Sequence, residues 1–220
     1  MTVLAPLHFA DPREAAALAA FLGRLVHYDR AAAVRLQAGG GALAVFGRPP
    51  SFEVLAIRTA RLEDVVDLDV TVSAGELLDG VEETAGKAVV PGAVTGPPWA
   101  GVLPPRTGWR PVEGLPGAGE LRGAVAAAVA EFRRRDEELP EERRTRAERD
   151  RVGREIWSRV LGTTGLPLRA VHAAQSLGFL PPGDLPVALM AAGPWLRLRT
   201  PYGSVALRTA PAGLTVTPVP

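Results

Sequence analysis

The stretch DLDVTVSAGELLDGV, residues 67–81, changes period half-way along. Val66, Leu68, Val70 and Val72 alternate with Asp67, Asp69 and Thr71, which predicts a strand with one buried and one wet face. Ser73-Ala74-Gly75-Glu76 then has the spacing of a capping box, and Leu77, Leu78 and Val81 supply the apolar side of a short helix. Strands that are wet on one face belong to antiparallel sheets, so this stretch commits its surroundings to one.

Upstream, Asp11 to Tyr28 reads as a helix: Asp11 is placed to cap it, Pro12 suits its first position, and Leu18, Phe21, Leu22 and Leu25 form a stripe. Val34 and Leu36, then Gly39-Gly40-Gly41, then Leu43 and Val45 predict a hairpin, followed by a strand over Phe52 to Thr59. Residues 1–90 are therefore expected to form an α+β part: a helix, an antiparallel sheet of about four strands, and a short helix. That order, on the residues 67–81, resembles one half-domain of a sliding clamp. The resemblance covers under half of the chain and implies a fold only. The repeats that would close a ring are not visible in the sequence, and no site residue is carried over.

Downstream, residues 91–119 hold seven prolines and seven glycines, and are expected to be irregular or extended. They also hold Trp99 and Trp109. Two tryptophans seek more burial than a free linker offers, so PPWAGVLPPRTGW is expected to lie on the fold as an ordered strap. Residues 120–220 then read as helices followed by a small antiparallel sheet: helices over Glu120 to Glu138, Glu141 to Leu161 and Pro167 to Leu177, and strands over Val187 to Met190, Trp195 to Arg199 and Val205 to Arg208. Gly178-Phe179 has the form of a left-handed helix end with an aromatic folding back. Whether residues 1–90 and 120–220 share one core is left open.

Composition narrows function without naming it. The 220 residues carry 25 basic and 24 acidic side chains, a net +1, so no global field draws in nucleic acid or membrane. All the basic residues but Lys87 are arginine, asparagine is absent, and isoleucine occurs only at 57 and 156, a bias that reads as a high-GC bacterial genome. With no cysteine, thiol nucleophiles, disulfides and thiolate metal sites are excluded. Residues 1–11 lack a basic start and an apolar run, and the uncharged stretch 88–105 is broken by prolines. The expectation is a cytoplasmic protein that makes no use of a membrane.

Charge is distributed unevenly. Residues 1–90 carry −4 and the remainder +5, with −6 concentrated in residues 61–90. Such asymmetry favours a protein partner or self-association. Between Glu131 and Arg159 ten arginines interleave with nine acids, and the spacing predicts a helical hairpin paired along its own helices: Glu142 with Arg146, Arg144 with Glu148, Asp150 with Arg154, and Glu155 with Arg159.

Four sets of residues are candidates for chemistry. Trp99, Arg106, Trp109, Arg110 and His172 would line a pocket beneath the strap and between two sheets, for a small ligand or substrate. Arg169, His172 and Gln175 on one face of the 167–177 helix would read base edges in a helix-turn-helix, although any helix–glycine turn–helix fits that outline. Trp195, Arg197 and Arg199, with Arg208 on the neighbouring strand, would make an aromatic and basic patch for single-stranded nucleic acid or another anion. Asp67 and Asp69 have the spacing of a cation site, but simple solubility explains them as well. His8, His27 and His172 lack metal-ligand spacing, no serine sits in GxSxG, and Gly80 to Lys87 departs from a phosphate loop. No catalytic residue, metal or cofactor is nominated. The residues favour a non-catalytic interaction protein ahead of an enzyme, with nucleic acid the weaker partner.

Overall fold

A computed structural model describes residues 6–95 and 102–209. It is an α+β fold built on antiparallel pairing throughout. β1 (Leu7–His8) leads into α1 (Pro12–Tyr28), where the Asp11 carboxylate accepts from the Arg13 N–H at 2.8 Å, and Leu18, Phe21, Leu22 and Leu25 are buried. β2 (Ala33–Gly39) and β3 (Ala42–Gly47) turn on Gly40 and Gly41, both at positive φ, as a two-residue hairpin of this twist requires. β4 (Leu55–Arg61) and β5 (Leu68–Ser73) follow, and Ser73 caps α2 (Ala74–Asp79) through the Glu76 N–H. The expected strand over Phe52 to Thr59 is corrected to β4, because residues 51–53 form a turn with Ser51 and Glu53 at positive φ. β6 (Val81–Glu82) and β7 (Lys87–Ala88) pair with each other, and β7 pairs with β1, in a separate three-stranded sheet.

β8 (Arg110–Val112), inside the expected strap, is an edge strand. α3 (Ala118–Glu137) and α4 (Arg146–Trp157) form the charged hairpin, and α5 (Leu168–Ser176) leads to β9 (Ala188–Ala192), β10 (Trp195–Thr200) and β11 (Gly203–Arg208). The expected helix over Glu141 to Leu161 is shorter. Residues 141–143 make one 3-10 turn, and the Thr145 hydroxyl caps α4 by accepting from the Glu148 N–H. α5 ends as expected: Gly178 is at φ +77° and the Phe179 N–H reaches back to the Ala174 carbonyl.

The main sheet runs β5-β2-β3-β4-β11-β10-β9-β8. Two three-strand meanders, β2-β3-β4 and β9-β10-β11, thus meet through their last strands, with Ile57 opposite Ser204 and Leu55 opposite Ala206. Each meander is preceded by a helix that packs on its last strand, α1 on β4 and α5 on β11. The chain therefore repeats one unit about an approximate two-fold, although the sequence shows no repeat. The small C-terminal sheet expected from residues 187–208 is the second half of a continuous one. Phe21 of α1 stacks on Phe179 after α5 at 5.4 Å, joining the two units beneath the sheet. A Cβ on Gly203 would lie 2.5 Å from the Phe179 ring, so glycine lets β11 pass over it.

Strand alternation assigns the faces. Val34, Leu36, Leu43, Val45, Ala56, Leu198, Val205 and Leu207 join the helices in one large core. Among the described residues the opposite face carries no helix, and its buried cluster of Phe46, Leu55, Ile57 and Ala206 is packed by Ala44, Leu103 and Trp195.

Candidate binding face of the sheet

On the helix-free face, strand register sets three rows. Thr71, Arg35, Phe46, Ile57, Ser204 and Arg199 follow one another across the sheet; Leu55, Ala206, Arg197 and Met190 form the next; Arg208 lies opposite Trp195. The strap crosses this face. Leu103 packs on the Phe46 cluster together with Trp195, and the Trp109 indole N–H closes a turn onto the Pro105 carbonyl at 2.8 Å.

Beside Leu103 lies an open groove of about 440 Å³ over β2, β3 and β4, floored by Ala44, Phe46 and Ile57 and flanked by Arg106 and Arg197. None of its lining residues is a carboxylate or an imidazole. Arg197 is half-buried. Its Nε donates to the Ser204 hydroxyl at 2.9 Å and its guanidinium stands 5.7 Å from the Trp109 ring centroid. Burial, reinforced by the neighbouring Arg199 charge, pushes its pKa below the usual arginine value. Arg106 donates to the Gln37 side-chain oxygen at 3.4 Å, and its charge acts on the nearby Asp69 carboxyl.

On the far side of the face the charges are matched. Arg35 forks onto both oxygens of Asp69, Gln37 adds a hydrogen bond, and these contacts hold the Asp69 carboxyl below the usual range, the Arg35 bond first. Among the described residues, Arg48, Arg106, Arg197, Arg199 and Arg208 form no ion pair with a carboxylate.

The expected sites are redistributed. Trp99 lies outside the described residues. Arg106 lines the groove and Trp109 holds Arg197, but Arg110 pairs opposite Ala191 at the edge, on the helix side. His172 is also on the helix side, stacked on Trp157 at 4.2 Å and met edge-on by Phe52 at 5.2 Å, and its burial lowers its pKa. The pocket envisaged between two sheets is thus a groove on one. His172 and Gln175 face a cleft between α3 and α5, whereas Arg169 lines a different pocket beside Glu53. Trp195, Arg197, Arg199 and Arg208 do share a face. Arg48 escaped the sequence reading because it stands alone in a Gly-Arg-Pro-Pro turn, and its neighbours come from α5 and β11. Among the described residues no group of three or more acidic or histidine side chains is placed to hold a metal ion, and no helix is long and apolar enough to cross a membrane.

Comparison with known proteins bears on the fold. The chain is similar to the DNA polymerase sliding clamp of Pseudomonas aeruginosa, with a TM-score of 0.54 and 12% identity over 96% of this chain and 66% of the clamp chain. The fold is sliding-clamp-like. The same clamp with a ligand aligns at a TM-score of 0.48 and 15% identity, over 90% of this chain and 64% of the clamp. The chain therefore spans about two thirds of the clamp's length. Residues 3–101 match a family model described as Domain of unknown function (DUF8010), and residues 104–212 match another, Domain of unknown function (DUF8185). No curated protein matches the sequence. The clamp-like likeness, read above from residues 67–81 as a single half-domain, extends across both helix–meander units.

Proposed function

We propose that this chain is a non-catalytic binding protein that docks a partner protein on the helix-free face of its sheet. The partner presents an extended segment in which a carboxylate stands beside an apolar side chain. Arg197 carries this reading. A half-buried guanidinium held by one hydroxyl and one ring, without a carboxylate, retains capacity for a charge-assisted bond, and the Phe46–Ile57 floor beside it takes an apolar group. Likeness in fold to a clamp, a protein named for its work with DNA polymerase, agrees with a role in protein or DNA association. A protein is preferred to single-stranded nucleic acid because base stacking needs open ring faces. Trp109 already faces Arg197, and Trp195 is packed in the apolar cluster.

The test is a random-peptide selection on the full chain, followed by affinity measurements on the enriched peptides. Enrichment of Asp or Glu next to Leu or Phe is expected, with affinity falling about tenfold in Arg197→Gln and in Ala44→Trp, which fills the groove. Absence of any enriched peptide overturns the proposal, as do peptides that bind both variants like the parent. An oligonucleotide that binds steeply with falling salt and loses binding in Arg197→Gln overturns it in favour of nucleic acid.

A further inference from the structure

We infer that the chain carries a second site, a pocket for a phosphorylated small molecule, where the turn after β3 meets α5 and β11. The inference goes beyond the docking face and does not rest on it. Separate from the groove, and bordered by Val102 of the strap, is a pocket of about 350 Å³, large enough for a mononucleotide-sized ligand. Arg48, Arg169 and Arg208 line it from three separate elements, over a floor that includes Leu55 and Trp195. Among the described residues its one acid is Glu53, whose side chain is 75% exposed.

Three features point to a phosphate monoester. The three arginines and one glutamate leave a net charge of +2, which complements the charge of about −1.5 to −2 that a monoester carries at neutral pH. Arg169 is ion-paired with the exposed Glu53 carboxylate at 3.5 Å, but its buried Nε makes no hydrogen bond. An unsatisfied guanidinium N–H beside two arginines without ion pairs is the donor array that a tetrahedral oxyanion fills. Ser51 and Glu53, at φ +70° and +52°, are also the only non-glycine residues at positive φ among those described. That backbone is held by Phe52, packed edge-on against His172 and Tyr28, and local strain of this kind accompanies ligand clamps. The apolar floor gives the body of the molecule a place to lie, so the ligand is a compact phosphate ester with a flat or apolar group.

Calorimetric titration of the full chain with inorganic phosphate, adenosine 5′-monophosphate and adenosine is the experiment. The monophosphate is expected to bind at least roughly tenfold more tightly than inorganic phosphate, and adenosine not measurably. Arg208→Gln and Arg48→Gln, both at exposed positions, are each expected to weaken the monophosphate about tenfold with an unchanged circular dichroism spectrum. Arg197→Gln should leave it within about twofold, which separates this site from the docking face. No saturable binding of phosphate or monophosphate overturns the inference. Parent-like affinity in both arginine variants overturns it too, and a 5′-phosphorylated oligonucleotide that binds more tightly than the mononucleotide replaces the mononucleotide pocket with a strand site.

Discussion

In the α3–α4 hairpin Arg135, Arg149 and Arg159 each end on a carboxylate of the neighbouring helix, whereas Arg197, Arg199 and Arg208 on the sheet end on none among the described residues. The hairpin has few apolar residues to close it: only Val152 and Ile156 are buried in α4, and none in the turn before it. Forked ion pairs from Arg159 to Glu131 and from Arg135 to Glu155 join the helices instead. The sheet face is the reverse case, in which apolar contact is made by Leu103 and the cations keep their capacity. An arginine is thus a structural group where its partner is on the same chain, and on the proposed docking face it is left for recognition.

The largest expected effect comes from giving the sheet face the hairpin's arrangement. Met190 lies directly opposite Arg197, so Met190→Glu supplies the missing carboxylate within the chain. Peptide affinity should fall roughly 10- to 100-fold while the melting temperature holds or rises, because the new ion pair competes with the partner. An unchanged affinity would break the contrast.

The reciprocal change is Glu131→Gln, which removes the carboxylate that Arg159 forks onto and leaves Arg135 with Glu155. The melting temperature should drop by about 2 °C, since a solvent-screened pair contributes little, with peptide affinity unchanged. Acid should reproduce it. The Arg159 bond, with Arg135 behind it, holds the Glu131 carboxyl at about 2 against an ordinary 4.5. Stabilisation from this group is therefore complete above pH 4.5 and is lost as pH falls from 4.5 to about 2, because the unfolded chain takes up the proton first. Helical ellipticity followed against pH should show that loss in the parent and a smaller one in Glu131→Gln.

A smaller step is expected at the seam between the regions. Burial lowers the pKa of His172, which stacks on Trp157 of the hairpin, so stability declines as pH drops below 6.5 and levels off below the folded-state value. His172→Phe should remove that step from a pH series of thermal melts. The smallest effect belongs to Arg134, whose pair with Glu138 is 60% exposed on both sides; Arg134→Ala should alter unfolding free energy by less than about 0.5 kcal/mol in urea titration.

The hairpin shows how far residue spacing reaches. Its existence and self-pairing are legible because Arg and Glu interleave, but three of the four expected i,i+4 partners are not made. Arg144 instead donates to the carbonyls of Glu137 and Leu139, and the strongest forks span 20 and 28 residues. Helix-surface spacing describes one helix, and the contact belongs to two.

Asp11, Ser73, Gly40-Gly41 and Gly178 could be read directly, since a cap, a tight turn or a left-handed helix end is settled by groups a few residues apart. The alternation of residues 66–72 likewise requires a half-wet strand wherever that strand is placed. Long-range closure decided the rest. The joining of β4 to β11 is accompanied by a bond from Arg58 to the carbonyl of Tyr202, 144 residues away, and the convergence of Arg48, Arg169 and Arg208 depends on that same closure. Strand partners at such separation are selected by burying one face of both units in a common core, and that selection leaves no local mark on either segment.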